Sequence, residues 1–238
     1  MTYDYIFLKD YKIQDCRGCG LCFKKSEKLC PCRDDLDIIR KKLLEADGII
    51  IATPVYAYQV PAPLKRIIDR MAFLFHRQEL VGKPTLIMVT SDGGGHKQVG
   101  KYMKMTISGW ACNLIGTISI ISPMYFENRK DNFALVYNEG YHKKTYLKIE
   151  KLTNKFKEAI KSQVRKAPSY YDIFMFNCLR TKTFTSKADH DYWNDKKWLN
   201  SYYFYDVKIN PLKKLFGVIL RLIIDFVGKK LKSKMSCN

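Results

Sequence analysis

Short apolar runs alternate with helical patterns through the first two-thirds of the chain, which is typical of a parallel α/β sheet. The run GIIIATP (48–54) predicts a strand buried on both faces, and PTLIMVTS (84–91) predicts a second. Tyr3–Leu8 and TISIIS (117–122) predict two further strands. We therefore expect four strands in one sheet.

Helical periodicity separates these strands. Asp34–Ala46 places three apolar side chains on one face, as an amphipathic helix requires. Residues 61–76 begin with prolines, which the first turn of a helix tolerates. Residues 97–113 and 139–165 predict two more helices, of which the second is long and basic. We therefore expect residues 1–167 to form a single α/β domain.

The pattern changes over residues 168–238. The stretch 169–206 is rich in Tyr, Phe and Trp without clean periodicity, so it predicts an irregular extension over the core. Residues 211–233 predict an amphipathic helix, in which Arg221 and Asp225 are spaced to pair at i,i+4. The polar residues of this helix recur every four positions, at Lys213, Gly217, Arg221, Asp225 and Lys229. Its wide apolar face is open to two interpretations: burial against the domain or a dimer partner, or contact with a membrane interface.

Length and charge narrow the class of protein. With 238 residues, the chain is long enough for a substantial domain plus an appendage. It has no apolar run of spanning length and no signal-peptide pattern, so a cytoplasmic location is expected, with at most peripheral membrane contact. The net charge is +19, and residues 139–238 hold 22 Lys/Arg against 9 Asp/Glu. No basic–aromatic motif accompanies this excess, so nucleic-acid binding is not expected.

Five of the eight cysteines fall within CRGCGLCFKKSEKLCPC. Cys16, Cys19 and Cys22 form C-x2-C-x2-C, a spacing that lets three thiolates wrap one corner of an iron–sulfur cluster. The fourth ligand comes from farther along, at Cys30 or Cys32. Zinc can use four of the same thiolates, but it usually takes two separated C-x2-C pairs. The spacing favours an iron–sulfur cluster over zinc, with a metal-free stretch as the remaining interpretation.

The other cysteines and two strand-end loops complete the candidate chemistry. TPVY (53–56) supplies a hydroxyl, backbone amides and a ring, and the glycines of SDGGGH (91–96) let backbone N–H groups approach a flat or anionic ligand. Ligands of open α/β sheets sit at such strand ends, so together the loops favour a cofactor cleft, although each alone fits an ordinary turn. The role of His96 stays open. The isolated thiols, predicted to be structural or exposed, are Cys112, Cys178 and Cys237.

These segments, read together, resemble a known family. CRGCGLC…C, DD, EADGIIIATPVYAYQVPAPLKRIIDR and VTSDGGG resemble the iron–sulfur flavoproteins, which belong to the NAD(P)H-dependent FMN reductase group of flavodoxin-like proteins. The likeness covers about residues 3–165, and residues 46–70 are its most specific part. It implies a flavodoxin-like parallel sheet with helices on both faces.

The resemblance also implies cofactors and a function. It places FMN on Thr53, Pro54, Val55, Tyr56, Ser91, Gly93, Gly94 and Gly95. It places a [4Fe–4S] cluster on Cys16, Cys19, Cys22 and Cys30, with Cys32 a spare or a substitute. The implied function is a redox flavoprotein that passes electrons between a donor, such as NAD(P)H or a ferredoxin, and an acceptor. A homo-oligomer is expected because sheet edges and the last helix need cover.

Two other functions remain open, and the sequence departs from the family pattern in one respect. The alternatives are a cluster-free NAD(P)H-dependent FMN or quinone reductase, and a non-enzymatic binding module with structural zinc or no cofactor. The departure is that the family's first β–α unit, with its phosphate-binding loop, has no counterpart before Tyr3. A shortened chain, a second chain that completes the sheet, or a homologue that has lost flavin would each explain this, and the first is favoured. If the chain is whole, FMN affinity is expected to be weak.

Overall fold

Three parallel strands form the sheet, with β1 (Ile49–Pro54), β2 (Pro84–Ser91) and β3 (Asn113–Ile121) side by side in chain order. The structure, a computed structural model, describes residues 2–121, 139–162 and 165–235. β2 is buried on both faces, as its apolar run predicts. The same prediction for β1 is wrong: Ile50 is 42% exposed, because the core on one face of the sheet is built from β2, β3 and α5 without β1 in the described residues. Three of the four predicted strands are confirmed, although Ser122, the end of the third, lies outside the described residues.

Helices cover both faces of this sheet and continue beyond it. They are α1 (Leu21–Lys24), α2 (Leu36–Glu45), α3 (Ala62–Arg70), α4 (His96–Gly109), α5 (Glu139–Ser162), α6 (Tyr170–Arg180), α7 (Lys187–Asp195) and α8 (Pro211–Met235). Short 3₁₀ turns occupy Leu8–Asp10, Glu27–Leu29, Ala72–Phe75 and Thr181–Phe184. The predicted helices are confirmed with shorter bounds, and residues 163–164 of the long basic one lie outside the described residues.

The two faces of the sheet have separate cores because successive side chains of a strand point to opposite sides. Leu86 of β2 and Ile118 of β3 pack with Phe156 of α5. On the opposite face, Ile87 and Val89 of β2 are fully buried within the larger core that α2, α3 and α4 complete. The predicted α/β class, a flavodoxin-like parallel sheet with helices on both faces, is confirmed.

The predicted strand Tyr3–Leu8 is wrong. The segment is not paired with any strand and passes into the 3₁₀ turn Leu8–Asp10. Tyr3, Tyr5 and Phe7 are each more than half exposed. A strand persists only where a neighbour supplies its hydrogen-bond partners. In the part of the chain that the structure describes, the sheet ends at β1 and no strand lies outside it to receive this segment.

The C-terminal extension is more regular than its sequence indicates. The prediction of an irregular segment over residues 169–206 is wrong, because α6 and α7 lie within it. Ser169 and Asp172 form a reciprocal capping box at the start of α6, and Ser186 caps α7. The rings of these helices and of the following loop pack on one another, including Phe176, Trp193, Trp198 and Phe204. Burial on several sides removes the single apolar stripe that periodicity detects.

The last helix, α8, confirms the predicted amphipathic helix over residues 211–233. Its polar stripe faces the protein: Gly217 lies against Ile173 of α6, and Asp225 pairs with Arg180 of α6 at 2.6 Å. The predicted Arg221–Asp225 pair is thus replaced by a pair between helices. None of the helices within the described ranges is long and apolar enough to cross a membrane.

Candidate functional site

The cysteine loop, residues 16–32, makes two tight turns. Gly18 and Gly20 have φ values of 65° and 69°, in the left-handed region that glycine adopts at least cost. Gly20 is the N-cap residue of α1, so the second turn leads directly into that helix. The two glycines therefore allow the chain to turn twice before α1 begins.

Four of the five thiols of the cysteine loop share one neighbourhood. Cys16 and Cys19 are exposed, and Cys22 and Cys30 are half-buried. Burial, followed by the negative charge of the Cys16, Cys30 and Cys19 thiolates, raises the pKa of Cys22. Within the described ranges, no three metal-binding side chains converge closely enough to hold a metal ion. The charges of these thiols therefore influence one another, but the thiols do not surround a metal position.

Cys30 and Cys32, the two candidates for a fourth ligand, have different surroundings. Cys32 is buried, and its Sγ donates to the carbonyl oxygen of Asp15 at 3.6 Å. Burial raises the pKa of the Cys32 thiol. The Sγ of Cys30 is half-exposed and accepts a hydrogen bond from Nη2 of Arg70 at 3.7 Å. Of the two, Cys30 is the thiol that lies with the C-x2-C-x2-C group.

A buried ion pair holds the base of the cysteine loop. The side chains of Arg70 and Asp34 are 2% and 4% exposed and form a direct salt bridge. Arg70 also donates to the carbonyl oxygen of Gln14 at 3.0 Å and to that of Cys32 at 3.4 Å. One guanidinium at the end of α3 therefore binds the chain on both sides of the loop.

The carboxylate of Asp34 completes this attachment. Burial opposes its ionisation, but hydrogen bonds from Arg70 and from the amides of Gln14 and Leu36 outweigh burial and lower the pKa of Asp34. The neighbouring Asp35 accepts from the amide of Lys12 at 2.7 Å. The two adjacent aspartates thus fix the segment that enters the loop.

A second network reaches the loop from the C-terminal extension. Asp189 of α7 is fully buried, binds Arg77 in a salt bridge and contacts Nδ1 of His76 at 2.7 Å. Arg77 donates in turn to the carbonyl oxygen of Cys22. The Phe23 ring stacks on His76 with centroids 4.4 Å apart. The backbone around Cys22 is therefore held in part by Asp189 of α7, which acts through Arg77.

Sequence reasoning missed these supporting charges. The pair DD at 34–35 and the arginine that ends the resembling block, Arg70, belong to segments that the resemblance singles out, so a signal for them existed. Nothing in the sequence distinguishes Asp189 from an ordinary solvated acid, because its partners lie 112 and 113 residues away.

The first strand-end loop, residues 53–60, follows β1. Thr53 is buried, and its hydroxyl donates to the carbonyl oxygen of Pro54 at 2.9 Å. The amide of Val55 donates to Thr90 of β2 at 2.9 Å. Tyr56 is 64% exposed, so its ring is the part of TPVY that solvent or a ligand reaches most easily.

The second strand-end loop, residues 91–95, follows β2 and is closed by Ser91. This buried hydroxyl donates to the carbonyl oxygen of Gly94 at 2.5 Å and accepts from the amide of Gly93 at 3.2 Å. A Cβ atom on Gly93 would meet no atom within 4 Å, so open space lies beside it. The loop has a fixed shape with one accessible side.

The two strand-end loops pack directly on one another. A Cβ atom on Gly95, which has φ of 80°, would lie 2.7 Å from Cγ1 of Val55 and 3.1 Å from Cα of Tyr58. A Cβ atom on Gly94 would lie 3.3 Å from the hydroxyl of Tyr58. Tyr58 itself has φ of 62°, which is uncommon for a residue with a side chain. Close packing, rather than a ligand, therefore already accounts for glycine at 95.

The remaining candidates are placed as follows. His96 begins α4, and its Nδ1 is buried without a hydrogen-bond partner in the described part of the chain. Cys112 is buried, and burial raises its pKa to about 12, as expected for a structural thiol. Cys178 is half-buried, and Cys237 lies outside the described residues.

α3 connects the two candidate regions. It begins directly after the first strand-end loop, and its last residue is Arg70, which binds the cysteine loop. Midway, Arg66 pairs with Asp15 at 2.6 Å. Because Tyr3–Leu8 is not a strand, the cysteine loop is positioned by this helix and not by a strand end. Nine helical residues span roughly 13 Å, so the attachments lie about that far from the strand-end loops along the axis of α3.

Comparison with known proteins identifies relatives for this arrangement. Residues 1–127 match the family model described as NADPH-dependent FMN reductase. An iron–sulfur flavoprotein of Archaeoglobus fulgidus is 31% identical over 199 residues, which are 82% of this chain and 84% of that protein. A quinone reductase of Escherichia coli is 41% identical over 58 residues, 24% of this chain and 30% of its own.

Solved structures resemble the chain more distantly. The crystal structure of RosB with a bound intermediate superposes with a TM-score of 0.47 at 13% identity, over 68% of this chain and 67% of RosB. A score of this size adds nothing to what the sheet topology and the sequence matches already establish.

Proposed function

We propose that the cysteine loop holds a [4Fe–4S] cluster beside the flavin. The chain belongs to the NADPH-dependent FMN reductase family and is thus an FMN-dependent oxidoreductase. The observation that supports this proposal is the C-x2-C-x2-C spacing of three exposed or half-buried thiols followed by half-buried Cys30, while Cys32 is buried against the carbonyl of Asp15. The ligands would be Cys16, Cys19, Cys22 and Cys30.

The donor set fits such a cluster. Three of its thiols come from one C-x2-C-x2-C segment with two glycine turns, and a cluster needs four thiolates on a tightly curved loop. Burial, followed by repulsion from the neighbouring thiolates, raises the pKa of Cys22, and a bound cation core would relieve the repulsion. Cys32 would serve the protein as a buried thiol.

The strand-end loops fit a flat ring in part. Tyr56 and the open side of Gly93 are accessible, and they lie on two adjacent strand ends where such folds bind ligands. Thr53 and Ser91 are buried and use their hydroxyls within the loops. In this proposal they shape the site, and the contacts to FMN come from the accessible residues and from backbone amides.

Bound FMN can accept two electrons together and release them singly, while an iron–sulfur cluster carries one at a time. The chain's own contribution is position and charge. Arg70 donates to the sulfur of Cys30, and a hydrogen bond of this kind stabilises negative charge on the ligand and favours the reduced state of a cluster. α3 keeps this arginine at a fixed distance from the flavin loops.

The proposal is tested by the composition of anaerobically purified protein. Iron, acid-labile sulfide, zinc and FMN are measured per chain together with the visible spectrum. About four iron and four sulfide per chain support the cluster. Zinc in place of iron would refute it and favour the structural-zinc module, whereas FMN without any metal would favour the cluster-free reductase.

Serine substitutions identify the ligands. Cys30→Ser is expected to lose most of the iron and the cluster absorption, since oxygen at this position is a poorer ligand for the cluster. Cys32→Ser is the matched control, a change of the same size two residues away, and is expected to keep its iron. The reverse result, iron lost with Cys32→Ser and kept with Cys30→Ser, would show that the assignment of the fourth ligand is wrong.

A second candidate function has a specific observation in its favour. The stretch shared with the E. coli quinone reductase carries 41% identity, so a cluster-free reductase that takes hydride from NAD(P)H fits the same fold. Rapid mixing of FMN-loaded protein with NADPH distinguishes the two. Flavin bleaching by NADPH and turnover of a quinone in iron-free protein would favour this second function.

A further inference from the structure

An ordinary amphipathic surface helix turns its apolar side toward the protein, whereas α8 turns its polar side inward. Its polar residues face inward: Arg221 donates to the side chain of Asn177 and to the carbonyl of Ser201, and Asp225 pairs with Arg180. These bonds fix the rotation of the helix about its axis. Turning it to bury the apolar side would leave buried or partly buried charges without partners.

The opposite side of α8 is apolar and exposed. Among the large apolar side chains described in residues 211–228, five are more than half exposed, namely Leu212, Leu215, Leu222, Ile223 and Phe226. We call these five residues the outer face of α8. Val218, Ile219 and Val227 are also exposed and extend it laterally. A contiguous apolar patch of this kind is unusual on a soluble monomer and marks an interaction surface.

The sequence of α8 is strongly basic. It carries seven Lys or Arg and one acidic residue, Asp225, whose charge is already paired with Arg180. The sequence of its last turns, GKKLKSK, supplies four of these lysines. The whole segment 139–238 has 22 basic and 9 acidic residues. A partner for this helix must therefore accept apolar side chains and carry negative charge.

We propose that the outer face of α8 docks the protein on an anionic lipid surface, with the apolar side chains in the headgroup–acyl boundary and the net positive charge of the helix attracting the lipid phosphates. Interfacial helices bind by this combination of buried apolar area and attraction to anionic lipid. A second copy of the chain fits less well, because pairing two outer faces would bring two positive segments together. The inference does not depend on which cofactor the protein holds.

The test is co-sedimentation of the full-length protein with vesicles. Binding to vesicles that contain phosphatidylglycerol is expected to exceed binding to pure phosphatidylcholine by on the order of tenfold or more, and to fall as salt is raised. Leu222→Glu/Phe226→Glu is expected to abolish binding. Both side chains are exposed, so this variant should keep the unfolding temperature of the wild type.

The control carries the same change in charge elsewhere. Met105 of α4 and Tyr146 of α5 are 51% and 71% exposed, so Met105→Glu/Tyr146→Glu adds two negative charges away from α8 and should still bind vesicles. Equal loss in both double variants would overturn the proposal in favour of diffuse charge attraction. No vesicle binding by the wild type, with a dimer that only Leu222→Glu/Phe226→Glu converts to monomer, would overturn it in favour of self-association.

Discussion

The cysteine loop takes its shape from side chains far along the chain, whereas the two strand-end loops take theirs from each other. Arg70 of α3 bonds to Cys30 of the cysteine loop, and Ser186 at the start of α7 bonds to Phe23, across 40 and 163 residues of sequence. The strand-end loops are closed by Ser91 and by the packing of Tyr58 on two glycines. The shape of the cysteine loop thus depends on charged groups outside it, and the shape of the strand-end loops depends on contacts within and between them.

The largest expected effect comes from removing the central attachment of the cysteine loop. Arg70→Met leaves the carboxylate of Asp34 buried without its cation, and loss of one partner of a buried pair costs about 3–5 kcal/mol. Urea unfolding should show this loss, and metal analysis should show less iron. Arg66→Gln is the control: it breaks the exposed pair with Asp15 and should cost about 1 kcal/mol or less. Equal losses would mean that the buried pair has no special role.

A smaller effect is expected in the strand-end loops. Gly95→Ala places a methyl group 2.7 Å from Val55 in a left-handed backbone, which should cost about 1–3 kcal/mol and weaken FMN binding. Gly93→Ala adds the same group where nothing lies within 4 Å, so its stability should be nearly unchanged. Unfolding curves and flavin titrations measure both. A cost for Gly93→Ala as large as that for Gly95→Ala would contradict the packing argument.

The closing hydroxyl of the second strand-end loop should contribute less. Ser91→Ala removes one donor to Gly94 and one acceptor for Gly93, and the expected loss is about 1 kcal/mol. Iron content should stay at the wild-type level, because the cysteine loop makes no use of this residue. A fall in iron with Ser91→Ala would show that the two regions are not held independently.

The smallest expected effect is a pH dependence of the unfolding free energy that arises at the base of the cysteine loop. The pKa of Asp34 is lowered below its ordinary value of 3.8, so Asp34 contributes stability above that pH and loses it as the pH falls through the folded-state pKa. The difference in unfolding free energy between wild type and Asp34→Asn should stay constant above about pH 5 and narrow toward pH 2. Urea unfolding of both proteins across this pH range measures the difference, and a difference that stays constant down to pH 2 would contradict the prediction.

The elements that the sequence predicts correctly are those that local composition determines. GIIIATP and PTLIMVTS are mainly apolar, which favours strands in a parallel sheet. Burial on both faces is correct for β2 but wrong for β1, where Ile50 is 42% exposed. Tyr3–Leu8 has a similar local pattern, but pairing depends on a neighbouring strand, which local sequence does not reveal. Glycine at positions 18 and 20 also has a local explanation, because both residues have positive φ values in tight turns.

The candidate site was predictable only where its chemistry is concentrated in one segment. The thiols fall within seventeen residues, so their grouping can be read from spacing. The charges that hold them come from Arg70, Arg77 and Asp189, and such long-range pairs have no periodic signature. α6 and α7 were missed for a related reason: their rings face several neighbours, although the S-x-x-D cap at Ser169 marks the first of them.

The contacts between α7 and the cysteine loop also have a consequence for the timing of biosynthesis. Ser186 donates to the carbonyl of Phe23 across 163 residues, and Asp189 binds Arg77 across 112. At about 5–20 residues per second, a ribosome needs roughly 10–30 s to synthesise the chain between Phe23 and Ser186. During that interval the cysteine segment has left the ribosome without its last supports. The contacts that fix the middle of the cysteine loop can therefore form only after α7 has been synthesised.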